Sequence, residues 1–155
     1  ALKHTHPDLL EIVNGYQITV KATPPIYQKP INKADRVEVW KLEEKQTDVN
    51  IALHMYRDAV KHRCVQQVLV SGDTDLEGAL KFIKEDYPEI VRGLVLPNRT
   101  RPKLQNKSEK IRDSGYLVAH VDWVRTYILD DECASSQLPI KIPTRKKPIL
   151  KPSYW

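Results

Sequence analysis

Three carboxylates, Asp48, Asp73 and Asp75, stand where side chains can do chemistry, because each falls at a junction between apolar segments. Asp48 follows the run Val37-Glu38-Val39-Trp40-Lys41-Leu42 and the charged turn Glu43 to Thr47, while Asp73 and Asp75 close the run Gln66 to Ser71. Two bare unit charges about 4 Å apart repel by roughly 4 kcal/mol at an effective dielectric near 20. Carboxylates drawn that close together therefore call for a cation, and hard oxygen donors with retained waters suit Mg²⁺ or Mn²⁺. Each aspartate taken singly has a plainer role, accepting from the unpaired N–H groups of a helix start. Lys45, Asn50, Ser71 and Thr74 bracket the three carboxylates and are candidates to orient them, a metal-bound water or a bound phosphate.

The elements that must position these residues follow from periodicity. Val37 to Leu42 alternates as a short strand, and Thr47 or Asp48 is a suitable cap for a helix with Ile51, Ala52, Met55, Tyr56 and Ala59 on one face. Gln66 to Ser71 is short and apolar enough for a buried strand, and Leu76, Ala79, Leu80 and Ile83 recur at helical spacing behind it. Strand, helix, strand, helix argues for a parallel α/β sheet whose sites lie beyond the carboxyl ends of the strands. If the strand at Val37 to Leu42 neighbours the one at Gln66 to Ser71, the three aspartates face one crevice.

The run Glu43-Glu44-Lys45-Gln46-Thr47-Asp48-Val49-Asn50-Ile51-Ala52, followed by Val68-Leu69-Val70-Ser71-Gly72-Asp73-Thr74-Asp75-Leu76, resembles the NYN domain family of PIN-like nucleases. The likeness runs on through Leu96-Pro97 to Lys151-Pro152-Ser153-Tyr154-Trp155 and covers most of the chain. It implies a Rossmann-like, PIN-like parallel sheet flanked by helices in three α/β/α layers. It also implies a metal-dependent ribonuclease with Asp48, Asp73 and Asp75 as catalytic ligands to Mg²⁺ or Mn²⁺. Members of the family open with a strand ending in a further aspartate. None precedes Ala1, so the chain reads as the C-terminal portion of a longer protein, inactive alone under this reading. A non-catalytic RNA-binding or interaction module of the same fold is the alternative. Asp73-Thr74-Asp75 also resembles the DxD of nucleotide-sugar glycosyltransferases, although no larger acceptor domain accompanies it.

With 155 residues the chain has the length of one domain. Residues 1–137 are read as the NYN/PIN-like domain and 138–155 as a basic, proline-rich tail. A net charge of +5 makes a polyanionic partner plausible. The basic run carrying Arg99, Arg101, Lys103 and Lys107 follows a strand's carboxyl end, where cations would neutralise an RNA backbone. Homo-oligomerisation stays open. Cys64 and Cys133 are too few and too isolated for a disulfide framework, and no apolar run approaches the roughly 20 residues of a membrane span, so a cytoplasmic location is expected. His4-Thr5-His6, beside Pro7, is read as incidental to metal binding.

Further along, Glu89 to Pro97 reads as a strand interrupted at Arg92-Gly93, Tyr116 to His120 as another strand, and Val121 to Leu129 as a helix with Val121, Val124 and Ile128 inward. Asp130-Asp131-Glu132 is read as a solvated helix end. From Leu138 four prolines stand among Lys141, Arg145, Lys146, Lys147 and Lys151 with no acid, which predicts neither helix nor central strand.

Overall fold

The computed structural model describes residues 1–98 and 115–154. The chain divides into two compact units, Val13–Ile51 and Ala1–Ile12 with Ala52–Trp155.

The smaller unit is a hairpin of β1 (Tyr16–Ala22) and β2 (Val39–Lys45), antiparallel from Tyr16 opposite Lys45 to Ala22 opposite Val39. This corrects the expectation that the strand near Val37 joins the parallel sheet. β1 alternates polar with apolar side chains, and β2 runs from the apolar Val39-Trp40 to the charged Glu43-Glu44-Lys45. Pairing them with each other satisfies their backbone groups without a crossover. Gly15 lies where a Cβ would collide with the Thr47 and Glu44 side chains and the Lys45 carbonyl, so only glycine lets the chain enter β1 beside the end of β2.

Helix α2 (Thr47–Val60) begins at the residue whose short oxygen suggests a start. The Thr47 N–H and hydroxyl both donate to the Glu44 carboxylate. Gln46, just before it, adopts the left-handed region with φ 77°, which makes the turn from strand to helix abrupt. The division between the units falls inside this continuous helix.

The larger unit is built on a parallel sheet of three strands, β3 (Gln66–Val70), β4 (Val91–Val95) and β5 (Trp123–Arg125), in that order. Helix α1 (Leu2–Thr5) carries His4 near the start of the chain. After β3 comes a 3₁₀ turn (Thr74–Leu76) and then α3 (Glu77–Asp86). Leu76, Leu80 and Ile83, predicted for one helix face, are buried, and Ala59 of α2 packs with Ile83 and Ile90 beside Met55, Tyr56 and Tyr87. The result is a mixed α/β unit with its sheet flanked by helices, as the alternation predicts.

The second half departs from prediction in two places. Gly115–Val118 forms helix α4 where a strand is expected, and Trp123–Arg125 forms β5 inside the expected helix. Tertiary packing overrides the local pattern. Gly93 pairs with Trp123 in the parallel register, and a Cβ on Gly93 would run into the indole. The interruption at Arg92-Gly93 is thus a slot for an aromatic ring rather than a break in β4. Arg92 itself is buried, with a side chain 4% exposed that bonds Asp122 at 2.9 Å and the carbonyls of Ile90 and His120. Its backbone N–H donates to the same Asp122 carboxylate at 2.7 Å, so the pair locks the start of β5 to β4.

Asp130–Ser135 forms helix α5, and the acidic triplet is its first turn rather than a helix end. Carboxylates there face the positive end of the helix dipole, and Glu132 also accepts from the Leu129 N–H at 2.9 Å. In the tail, β6 (Lys141–Ile142) and β7 (Ile149–Leu150) pair antiparallel. A two-stranded ribbon is all edge, where neighbouring prolines are tolerated. Among the described residues no helix is long and apolar enough to cross a membrane.

Candidate metal centre

Asp73 and Asp75 lie immediately past the carboxyl end of β3, on the 3₁₀ turn. Asp73 has an extended backbone, and its Oδ1 accepts from the Asp75 N–H at 3.0 Å. Its own N–H donates to the Ser71 hydroxyl at 3.0 Å, so Ser71 orients the turn that carries both carboxylates. Asp48 sits in the first turn of α2, at that helix's positive end. Residues 61–65 fold α2 back along β3, and the Gln67 amide donates to the Met55 carbonyl at 2.8 Å, pinning helix to strand.

Asp73 and Asp75 belong to the larger unit and Asp48 to the smaller. Asp48 is half-buried and the other two are exposed. The pairing of β2 with β3, which sequence reasoning invoked to bring them together, is not formed, since β2 pairs with β1.

Of the residues proposed to support the cluster, Lys45 donates to Glu43 at 2.7 Å, and this ion pair with Glu43 raises the lysine pKa. Asn50 lies within the first turns of α2, its N–H bonded to the Gln46 carbonyl. Thr74 opens the exposed 3₁₀ turn. Glu77, which follows that turn, meets the His120 ring at 3.3 Å. Arg99, Arg101, Lys103 and Lys107 lie outside the described residues.

Sequence reasoning missed a second concavity. Helix α5 is followed by Ser136 to Pro139, and these residues together with β6 and β7 line a mostly apolar cavity of about 420 Å³. Its signal was the recurrence of Leu138, Ile142, Ile149 and Leu150 among the prolines of a stretch read as surface tail.

Fold and site together describe an α/β protein with two carboxylates, Asp73 and Asp75, just past the end of a parallel strand. No family model matches the chain, and no solved structure matches it. The chain is similar to the 6-hydroxy-3-succinoylpyridine 3-monooxygenase HspA of Pseudomonas putida, 34% identical over 163 residues that take in 100% of this chain and 48% of the relative. It thus spans about half the length of the curated relative it matches.

This likeness overturns the ribonuclease reading. A protein aligned along the entire chain is named for an oxygenation, an oxidoreductase reaction, and not for hydrolysis of a phosphodiester. The physical reason for the error is that clustered carboxylates report affinity for a hard cation, while the reaction depends on what else reaches the site.

Proposed function

We propose that this chain forms part of an oxidoreductase of the monooxygenase kind. Its substrate on this reading is a hydroxylated pyridine with an acyl-acid side chain, of the class named for the Pseudomonas putida relative. The observation that carries the reading is 34% identity extending over the whole chain rather than over one motif. Monooxygenation places one atom of dioxygen in the organic substrate and reduces the other to water, which requires two electrons from a reductant. A reduced nicotinamide is the reductant class we propose, and the cytoplasm, where it is abundant, is the location. The two free cysteines, Cys64 and Cys133, accord with a reducing compartment.

Asp48, Asp73 and Asp75 are proposed to hold Mg²⁺ or Mn²⁺, on a scaffold of the three-layer NYN/PIN-like kind. The donor chemistry suits such an ion: each of the three carboxylates offers a hard oxygen, and Asp73 and Asp75 are open to solvent that completes the coordination. Bound there, the cation supplies Lewis acidity toward a substrate oxygen. The residues of the chain do the positioning. Ser71 fixes the backbone of Asp73, Asp73 fixes that of Asp75, and the first turn of α2 presents Asp48.

The test supplies the protein with 6-hydroxy-3-succinoylpyridine, reduced nicotinamide, flavin and isotopically labelled dioxygen, with and without Mn²⁺. Substrate-dependent nicotinamide oxidation and one labelled oxygen in the product are expected. Their absence in the presence of every component would overturn the reading.

A further inference from the structure

The cavity at the C-terminal end has the size and lining of a small-molecule site. Its volume of about 420 Å³ falls inside the roughly 300–1,000 Å³ of ligand pockets, which are mostly apolar with a few polar groups that fix orientation. Leu138, Pro139, Ile142, Ile149 and Pro152 give it apolar walls. Ile142 is 7% exposed and anchors one wall, while the Lys151 N–H bonds the Ile140 carbonyl at 2.8 Å, extending the ribbon that forms another. The hydrogen bond from the Gln137 amide to the Cys133 carbonyl ties the third side to α5. The cavity is therefore held by backbone and side-chain bonds rather than by loosely placed tail.

Its charge has one sign. Lys151 lines the cavity, and from Leu138 to the end of the chain there are five basic residues and no acid. No ion pair engages Lys151 among the described residues. The loop between β6 and β7 carries Arg145 and Lys146, which line a second hollow of about 590 Å³ with His4 and Thr144. An apolar chamber lined by a lysine with no ion-pair partner among the described residues complements a ligand that is apolar at one end and anionic at the other. The walls bury the body, and the ammonium takes the carboxylate. Two of the lining residues are prolines, whose closed rings cannot change rotamer to follow a flexible chain, which favours a rigid, planar body.

We infer that this cavity is a binding site for a small aromatic carboxylate, with its ring among the apolar walls and its carboxylate at Lys151. The site is separate from the carboxylate cluster, and its existence does not depend on the oxidoreductase reading.

The probe is 3-phenylpropanoate, titrated into the full chain by calorimetry and by chemical-shift perturbation, with neutral 3-phenylpropanamide as its counterpart. Saturable one-site binding of the acid is expected, with shifts confined to 136–152. Lys151→Gln should weaken the acid about fivefold, as for one solvent-exposed charge pair, and leave the amide unchanged. Ile149→Arg, which fills the chamber, should remove both. Lys151 is exposed, so its variant folds whether or not the Ile149 variant does. Absence of saturable binding, shifts elsewhere, or equal affinity of the parent and Lys151→Gln for the acid would each overturn the assignment.

Discussion

At the scale of single residues, the aspartates illustrate how one side chain serves two purposes. Asp73 accepts a backbone N–H as a turn-capping residue does, yet its carboxylate is also one of the three proposed to hold the cation. The two roles separate under substitution. Asp73→Asn keeps an acceptor oxygen for the Asp75 N–H but removes the charge. It is expected to weaken Mn²⁺ binding by at least about tenfold, since the loss of even an outer-sphere partner has effects of that order. The melting temperature without metal should stay within about 1 °C of the parent, because exposed substitutions of this kind have little effect on stability. Calorimetric Mn²⁺ titration beside a thermal melt checks both parts. Unchanged Mn²⁺ affinity would remove the metal assignment. The sequence made the three residues visible through their places after apolar runs. It left Glu43 and Glu44 both open as the partner of Lys45 and did not reveal that of His120, because contacts with Glu43 and Glu77 depend on side-chain direction and distance rather than on order along the chain.

At the scale of elements, two contacts hold the larger unit together in ways that can be measured. Tyr56 of α2 donates its hydroxyl to the Asp86 carboxylate at the end of α3 at 2.7 Å. That hydrogen bond, with partial burial as a lesser cause, pushes the phenol up from its ordinary value of 10.0 to about 12. A pKa raised by folding means that the native state keeps the proton longer, so the contribution is whole below pH 10.0 and is lost as the pH rises towards about 12. Denaturant unfolding across that window should show falling stability, with a shallower fall in Tyr56→Phe. Parallel curves for the two proteins would show that this contact carries no linkage. The second contact is the Gly93 slot. Gly93→Ala places a methyl against the Trp123 ring and should destabilise by about 1–3 kcal/mol, the usual penalty for overfilling a packed core. Equal stability of parent and variant would mean that β5 can shift away from β4.

At the scale of the whole molecule, the parallel sheet ends on β3, whose outer edge has no partner strand among the described residues. Val68 and Val70 on that strand are 47% and 57% exposed, unusual for a parallel sheet, which is normally covered on both faces. An open apolar edge is a template for pairing with another chain. Sedimentation velocity at rising concentration should therefore show self-association, and Val70→Lys should suppress it, since a lysine on an edge strand opposes strand addition. A parent that stays monomeric at every concentration would show that the edge is protected.

The amino-acid order alone determined the alternation of strand and helix from Val37 to Ile83, a helix start at or beside Thr47 and Asp48, the buried face of Leu76, Leu80 and Ile83, and the three aspartates. These are local properties, set by periodicity and by which short side chains cap a turn. Only the tertiary structure decided that β2 leaves the sheet for a hairpin, that Trp123 enters a strand opposite Gly93, and that the tail folds into a cavity wall. Each depends on contacts between segments far apart in the chain, where backbone pairing and the space left by a missing Cβ outweigh the weak preference of a short segment for helix or strand.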